Sequence, residues 1–240
     1  GGGNLGFGVL NIVNNGTVEA TDAAVALVVA ANTTFTNDGT LQAVGAGGLI
    51  LGNGNFINNT SIDVLAGSSL ATISGVTITG GIINVDPAAT ATFAGGTDLN
   101  SVTINGSADI NNGNTVDAIS GLTVNGALNL NGTGSITTLT LTGDQTFDGT
   151  GQINMSGNAA TRITGNTGGQ ILTVGNDLTI VGSGDIGFNV LNIINNGTIQ
   201  ATDNSDVLKL DPNSTFTNNG TLEAVGSAGI LLGKGTINNL

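Results

Sequence analysis

Asp and Glu are the only side chains in this sequence equipped for acid–base catalysis. The 240-residue chain has 16 of them, no His and no Cys, and just three cations, Arg162, Lys209 and Lys234. Two carboxylates held roughly 5–9 Å apart can cleave a glycosidic bond, one as acid and the other as base or nucleophile. The closest candidates along the chain are Asp144 with Asp148, Glu19 with Asp22, and Asp203 with Asp206. Each pair lies among turn-forming residues, where single acidic side chains are ordinarily solvated. Sugar cleavage also draws on aromatic platforms, and Trp and Tyr are both absent. The expectation is a chain without catalytic, cofactor-binding or metal-binding residues, and so not an enzyme.

The missing His and Cys remove the usual proton shuttle, the thiolate nucleophile and the transition-metal ligands. Calcium alone suits an oxygen-only ligand set. Asp144-x-x-x-Asp148 and Asp203-x-x-Asp206 offer it weak footholds, with no Gly-rich nonapeptide or D-x-D-x-D loop beside them. Thr77/Thr79, Thr90/Thr92 and Thr138/Thr140/Thr142 could form an ice-binding face only if stacked on successive coils, and their scatter reads as ordinary strand preference. Sequons at Asn15, Asn32, Asn105, Asn131, Asn196, Asn213 and Asn219 follow from an Asn-, Gly- and Thr-rich composition and are expected to be bare. A net charge of −13 repels phosphate, which sets aside nucleic acid and anionic lipid. No apolar run reaches the roughly 18 residues of a membrane helix. The most apolar, Ala23 to Ala31, is half that length.

The elements that must carry these residues are strands. With 39% hydrophobic and 8% charged residues the chain does not have a disordered composition. Val, Ile, Leu and Thr, broken every few residues by Gly or Asn, indicate an all-β fold. The 41 Gly and two Pro lack the triplet period of collagen.

A long internal repeat dominates the sequence. Residues 4–54 recur at 185–235, an offset of 181, with 29 identities in 51 aligned pairs. VLNIVNNGTVEATD is answered by VLNIINNGTIQATD. Near Phe56 the copies fall out of step by one residue, with FINN set against the INN of Ile237 to Asn239. Val25, Val28 and Ala30 become Asp206, Lys209 and Asp211, whereas Leu27 and Val29 stay apolar as Leu208 and Leu210. Strand alternation therefore points Leu27 and Val29 inward and Val28 outward. One copy plus the first third of another, in a chain that begins inside the pattern, is the expected mark of a fragment from a longer tandem array.

A shorter period runs inside the long one. Asn14-Asn15-Gly16-Thr17 recurs at Asn37 and Asn58, intervals of 23 and 21, and the second copy places Asn195 and Asn218 again 23 apart. Weaker versions start at Val76, Val102, Leu122, Leu139 and Leu178. Asn-Gly corners tolerate the left-handed φ that a sharp turn requires, and they serve hairpins as readily as coils. An antiparallel meander is thus a competitor, but a single motif per period, with like residues at like phase, favours winding. The expected fold is a right-handed parallel β-helix, one continuous β-solenoid over 1–240 with about 20–23 residues per coil and about 10–11 coils. Coils about 4.8 Å apart give the 181-residue unit an axial rise of about 39 Å. Phe7, Phe35, Phe56, Phe93, Phe147, Phe188 and Phe216 are expected in the core, with Asn side chains stacked as amide ladders at the corners.

The repeats IVNNGTVEA, FTNDGTLQA, IINNGTIQA and FTNNGTLEA, with LTLTGDQTFDGTGQINM between them, resemble those of bacterial haemagglutinin-like and autotransporter-passenger exoproteins. The resemblance covers nearly the whole chain. It implies a parallel β-helix, export to the cell surface, and adhesion or matrix formation. The function expected is a structural or adhesive extracellular fibre. Its expected partners are other copies joined end to end or a host or cell surface, with a glycan and weakly bound Ca2+ as further candidates. A carbohydrate-active β-helix enzyme and a glycan- or ice-binding module are the alternatives.

Overall fold

The computed structural model describes residues 1–156 and 160–240. Thirty-one strands and no helix occur among them. The strands pair in parallel, each with the strand one coil earlier and one coil later, so the antiparallel meander is ruled out. Each coil supplies one strand to each of three faces. In the first coil Gly3–Leu5 lies on face I, Ile12–Asn14 on face II and Thr17–Ala20 on face III. Leu27–Val29, Thr34–Asn37 and Thr40–Ala43 stack directly on them. Eleven such coils make up the stack, and face I ends at Thr221–Ala224.

Coil length varies around a mean of about 22 residues, because only the strands are constrained by pairing. Along face I, the step from Ala91 to Ala108 is short and the step from Ile153 to Ile180 is long. The shortest coils dispense with a loop altogether. Strands Thr97–Asn105 and Thr115–Val124 run through the corner between faces II and III. The first turns on one residue, Ser101, with φ of 55°, and the second on two, Ser120 and Gly121, with φ of 58° and 93°.

Alternate residues of every strand point inward and form one continuous apolar column. Leu27 and Val29 face it, as do their counterparts Leu208 and Leu210, while Val28 and Lys209 face out. Burying each large aliphatic side chain contributes roughly 1.5–3 kcal/mol. Phe35, Phe56, Phe93, Phe147 and Phe216 are fully buried, and the rings of Phe35 and Phe56 stack 5.5 Å apart on consecutive coils. Phe7 and Phe188 are not core residues, contrary to expectation. They sit in corner turns at φ of 51° and 47°, which swings the ring outward, and Phe7 is 74% exposed.

Two other expectations need correction. The copies do not slip at Phe56: Phe35 stacks on Phe56 and Phe216 on Ile237, while Asn37 stacks on Asn58 and Asn218 on Asn239. The same offset holds throughout, and Ile237 simply replaces a Phe. Left-handed backbone, expected at the Asn-Gly corners, occurs at Gly54, Gly106 and Gly113 but at none of Gly16, Gly39, Gly197 and Gly220. At Gly39, Gly197 and Gly220 glycine is required by close approach, whereas Gly16, in the first coil, has open space around it. A Cβ on Gly39 would run into the Gly16 carbonyl oxygen, and one on Gly220 into that of Gly197.

The asparagines beside these corners are buried and pair vertically. Asn14 Nδ2 donates to Asn37 Oδ1 at 2.8 Å, and Asn37 Nδ2 to Asn58 Oδ1 at 2.9 Å. Asn195 and Asn218 repeat this at 2.7 Å, and Asn218 continues to Asn239 at 2.7 Å. Asn14, Asn37 and Asn195 also donate to the strand that follows the partner, at the Thr40, Ser61 and Thr221 carbonyls. Such buried amides are tolerated because their N–H groups are paired, although the Asn195 oxygen has no partner among the described residues; an unpaired polar group costs about 1–3 kcal/mol.

Candidate functional site

The carboxylates that spacing singled out are engaged locally. Asp22 accepts the backbone N–H groups of Ala24 and Val25 at 2.8 and 2.9 Å, and Asp203 those of Ser205 and Asp206 at 2.6 and 3.0 Å. Those bonds hold both carboxyls below the ordinary Asp range. Glu19 accepts from the Gln42 amide one coil above. Asp144 accepts the Ile171 N–H at 2.9 Å, and Asp148 that of Gly149 at 2.9 Å. Among the described residues no group of three or more acidic side chains is placed to hold a metal ion.

The threonine pairs do not form a plane. Asp98 and Asn100 stack above Thr77 and Thr79, Asp109 above Thr92, and Arg162 above Thr138. Three of the sequon amides belong to exterior ladders: Asn105 donates to Asn84 at 2.8 Å, and Asn219 donates to Asn196 at 2.8 Å.

The densest charge lies on face II of the later coils. Thr138, Arg162, Asp185, Lys209 and Leu231 form one outward file there. Lys209 Nζ is 2.6 Å from the Asp211 carboxylate and 3.4 Å from that of Asp185. The Arg162 guanidinium lies 3.9 Å over the Phe188 ring. Lys234 joins Lys209, Asp211 and Asn189 around an open recess of about 540 Å³. Lys209 and Lys234 thus share one recess, and Arg162 stands two coils before Lys209 in the same file. Burial pushes the Asp185 carboxyl up, more than the nearby Lys209 charge draws it down. Lys209 is raised, chiefly by its hydrogen bond to Asp211. The arrangement offers paired charge and an aromatic face, without an activated nucleophile. Partly exposed pairs of this kind contribute about 0–1 kcal/mol each.

Sequence reading missed this cluster, although a signal was present. Arg162, Asp185 and Lys209 follow one another at nearly the interval of the Asn-Asn-Gly motifs, which is one coil each. It also missed Asp98 and Asp117, which stack directly on each other in the region of short coils. Thr77 donates to Asp98 at 3.0 Å. Burial, and then the Asp98 charge, pushes the Asp117 carboxyl up, against a hydrogen bond from Thr140. Two carboxyls one strand spacing apart, about 4.8 Å, come near the separation of a retaining glycosidase. Their neighbours in the file are Thr77, Thr140 and Thr164, so the file holds no aromatic or cationic side chain to seat a sugar.

Comparison with protein-family models, with curated proteins and with solved structures finds no match to this chain.

Proposed function

We propose that this chain is part of a structural or adhesive fibre outside the cell, built from tandem β-solenoid units, with its work spread along its sides and no catalytic centre. One observation carries the reading: coil follows coil without interruption through all three faces, over one unbroken apolar column. Stability in such a stack is a sum of contacts between neighbouring coils, so length can grow without a new kind of core. The composition supports the same reading. A chain without Cys crosses to the outside without cross-links, and its Asn-Gly-Thr repeats resemble those of bacterial surface exoproteins. The contacts proposed are end to end with further units, or with a cell surface. Electron microscopy of the native material tests this. Filaments with an axial rise near 40 Å per unit, about eight coils at 4.8 Å each, are expected; separate globular particles would overturn it.

A further inference from the structure

The two copies of the long repeat occupy different faces. Gly3–Leu5, Ile12–Asn14, Thr17–Ala20 and Leu27–Val29 lie on faces I, II, III and I. Their counterparts Gly184–Ile186, Asn192–Asn195, Thr198–Ala201 and Leu208–Leu210 lie on faces II, III, I and II. Gln200 therefore does not stand above Glu19, its counterpart on face III. It stands on face I, in the outward file that begins Asn4, Val28, Ile50 and continues through Asn154 and Val181. Lys209, the counterpart of Val28, stands on face II above Asp185. From the first coil to the ninth, the repeat offset spans eight full coils and one extra face.

We propose that consecutive long units are related by a screw: each advances about eight coils and turns by one face, about a third of a turn. What lies beyond this chain rests on the tandem-fibre reading; the turn itself belongs to residues 4–54 and 185–235. The physical cause is that the three faces obey the same rules. Each accepts a short alternating strand with apolar residues inward, and any corner accepts an Asn-Asn-Gly turn. Nothing local ties a motif to one face, so its position follows from the summed lengths of the corners before it. A feature peculiar to one unit, such as the Arg162–Asp185–Lys209 file, then returns to the same face only at every third unit. Such a fibre presents each of its surfaces in three directions. It fits partners that engage one unit at a time, and not a flat extended lattice, which needs one feature repeated along one side.

Three double-cysteine variants of this chain, which has no native Cys, test the turn. Gln200→Cys is combined with Val28→Cys on face I, Thr36→Cys on face II or Gln42→Cys on face III, all outward-facing. Spin labels are attached, and distances are read by double electron–electron resonance. The Gln200–Val28 distance is expected to be the shortest, about 38 Å for eight coils, with both others longer. A shortest distance to Gln42, whose file holds Glu19, or to Thr36 would overturn the proposal. Should a label at 200 disturb folding, Glu223→Cys against Ile50→Cys on face I or Asp63→Cys on face III reads the same order. Micrographs without filaments would sink the fibre reading and leave this order of distances unchanged.

Discussion

Residues 4–54 and 185–235 share most of their sequence and differ in their surroundings. Leu191 is fully buried, packed near Gly165 of the coil before it, whereas its counterpart Leu10 is 58% exposed. Leu51 is fully buried, with Val29 stacked on one side and Thr72 on the other, whereas its counterpart Leu232 is 46% exposed. Burial in a solenoid is thus conferred by the coils on either side and not by position in the repeat. The copies also exchange groups in a consistent way. Glu19 accepts from Gln42 in one, and Gln200 donates to Glu223 in the other. Each stacked step sets an amide against a carboxylate, which avoids the repulsion of two stacked acids.

The comparison can be broken most forcefully at the phenylalanines. Phe35→Ala and Phe216→Ala are expected to cost about 4 kcal/mol each in denaturant unfolding, from lost burial and the cavity left behind. Phe7→Ala should change stability by less than about 0.5 kcal/mol, because its ring is already in water. A large loss at Phe7 would mean that the corner turns are packed differently.

Next come the corner glycines, where one motif makes opposite demands. Gly197→Ala would drive a Cβ into the Gly175 carbonyl oxygen, while Gly16→Ala meets nothing within 4 Å. Thermal melts should show Gly197→Ala destabilised by about 3 kcal/mol and Gly16→Ala close to neutral. Asn218→Ala removes the amide between Asn195 and Asn239. A loss of about 2 kcal/mol is expected, as the neighbouring amides lose their partner; Asn37→Ala should match it in the first copy.

The smallest effect concerns charge. Lys209→Val gives the second copy the residue of the first, and should cost about 1 kcal/mol at neutral pH. Asp185 already titrates above the ordinary Asp value because it is buried, and Lys209 restrains that rise. Without Lys209 the folded carboxyl binds its proton more readily still. The deficit should therefore shrink as pH falls through the folded pKa, where protonation favours the folded state. Unfolding midpoints at neutral and acidic pH read this directly, and an unchanged or growing deficit would contradict the assigned pairing.

Much of this fold was legible along the chain. Val28 changing to Lys209 between unchanged apolar neighbours was enough to orient a strand, because alternation is a local property of extended backbone. The Asn14, Asn37, Asn58 spacing disclosed the coil, because stacked amides need equal phase. Less legible were residues whose roles arise between coils. Gly39, Gly197 and Gly220 suggested left-handed backbone, but their need is for closeness to the carbonyl one coil below. Phe7 and Phe188 looked like core by residue type, yet the corner backbone directs them outward. Asp98 and Asp117 escaped notice because corners of one or two residues shortened their coils.

By itself, then, the amino-acid order determined that the chain is all strand, that it winds with a period of about 22 residues, and which side chains alternate inward. Those follow from single-residue preferences and from phase. Which face each motif occupies, and the placement of Arg162, Asp185, Lys209 and Lys234 on one side, was decided only in three dimensions. Azimuth around a solenoid accumulates from every preceding corner, so a small insertion or deletion far away moves everything that follows.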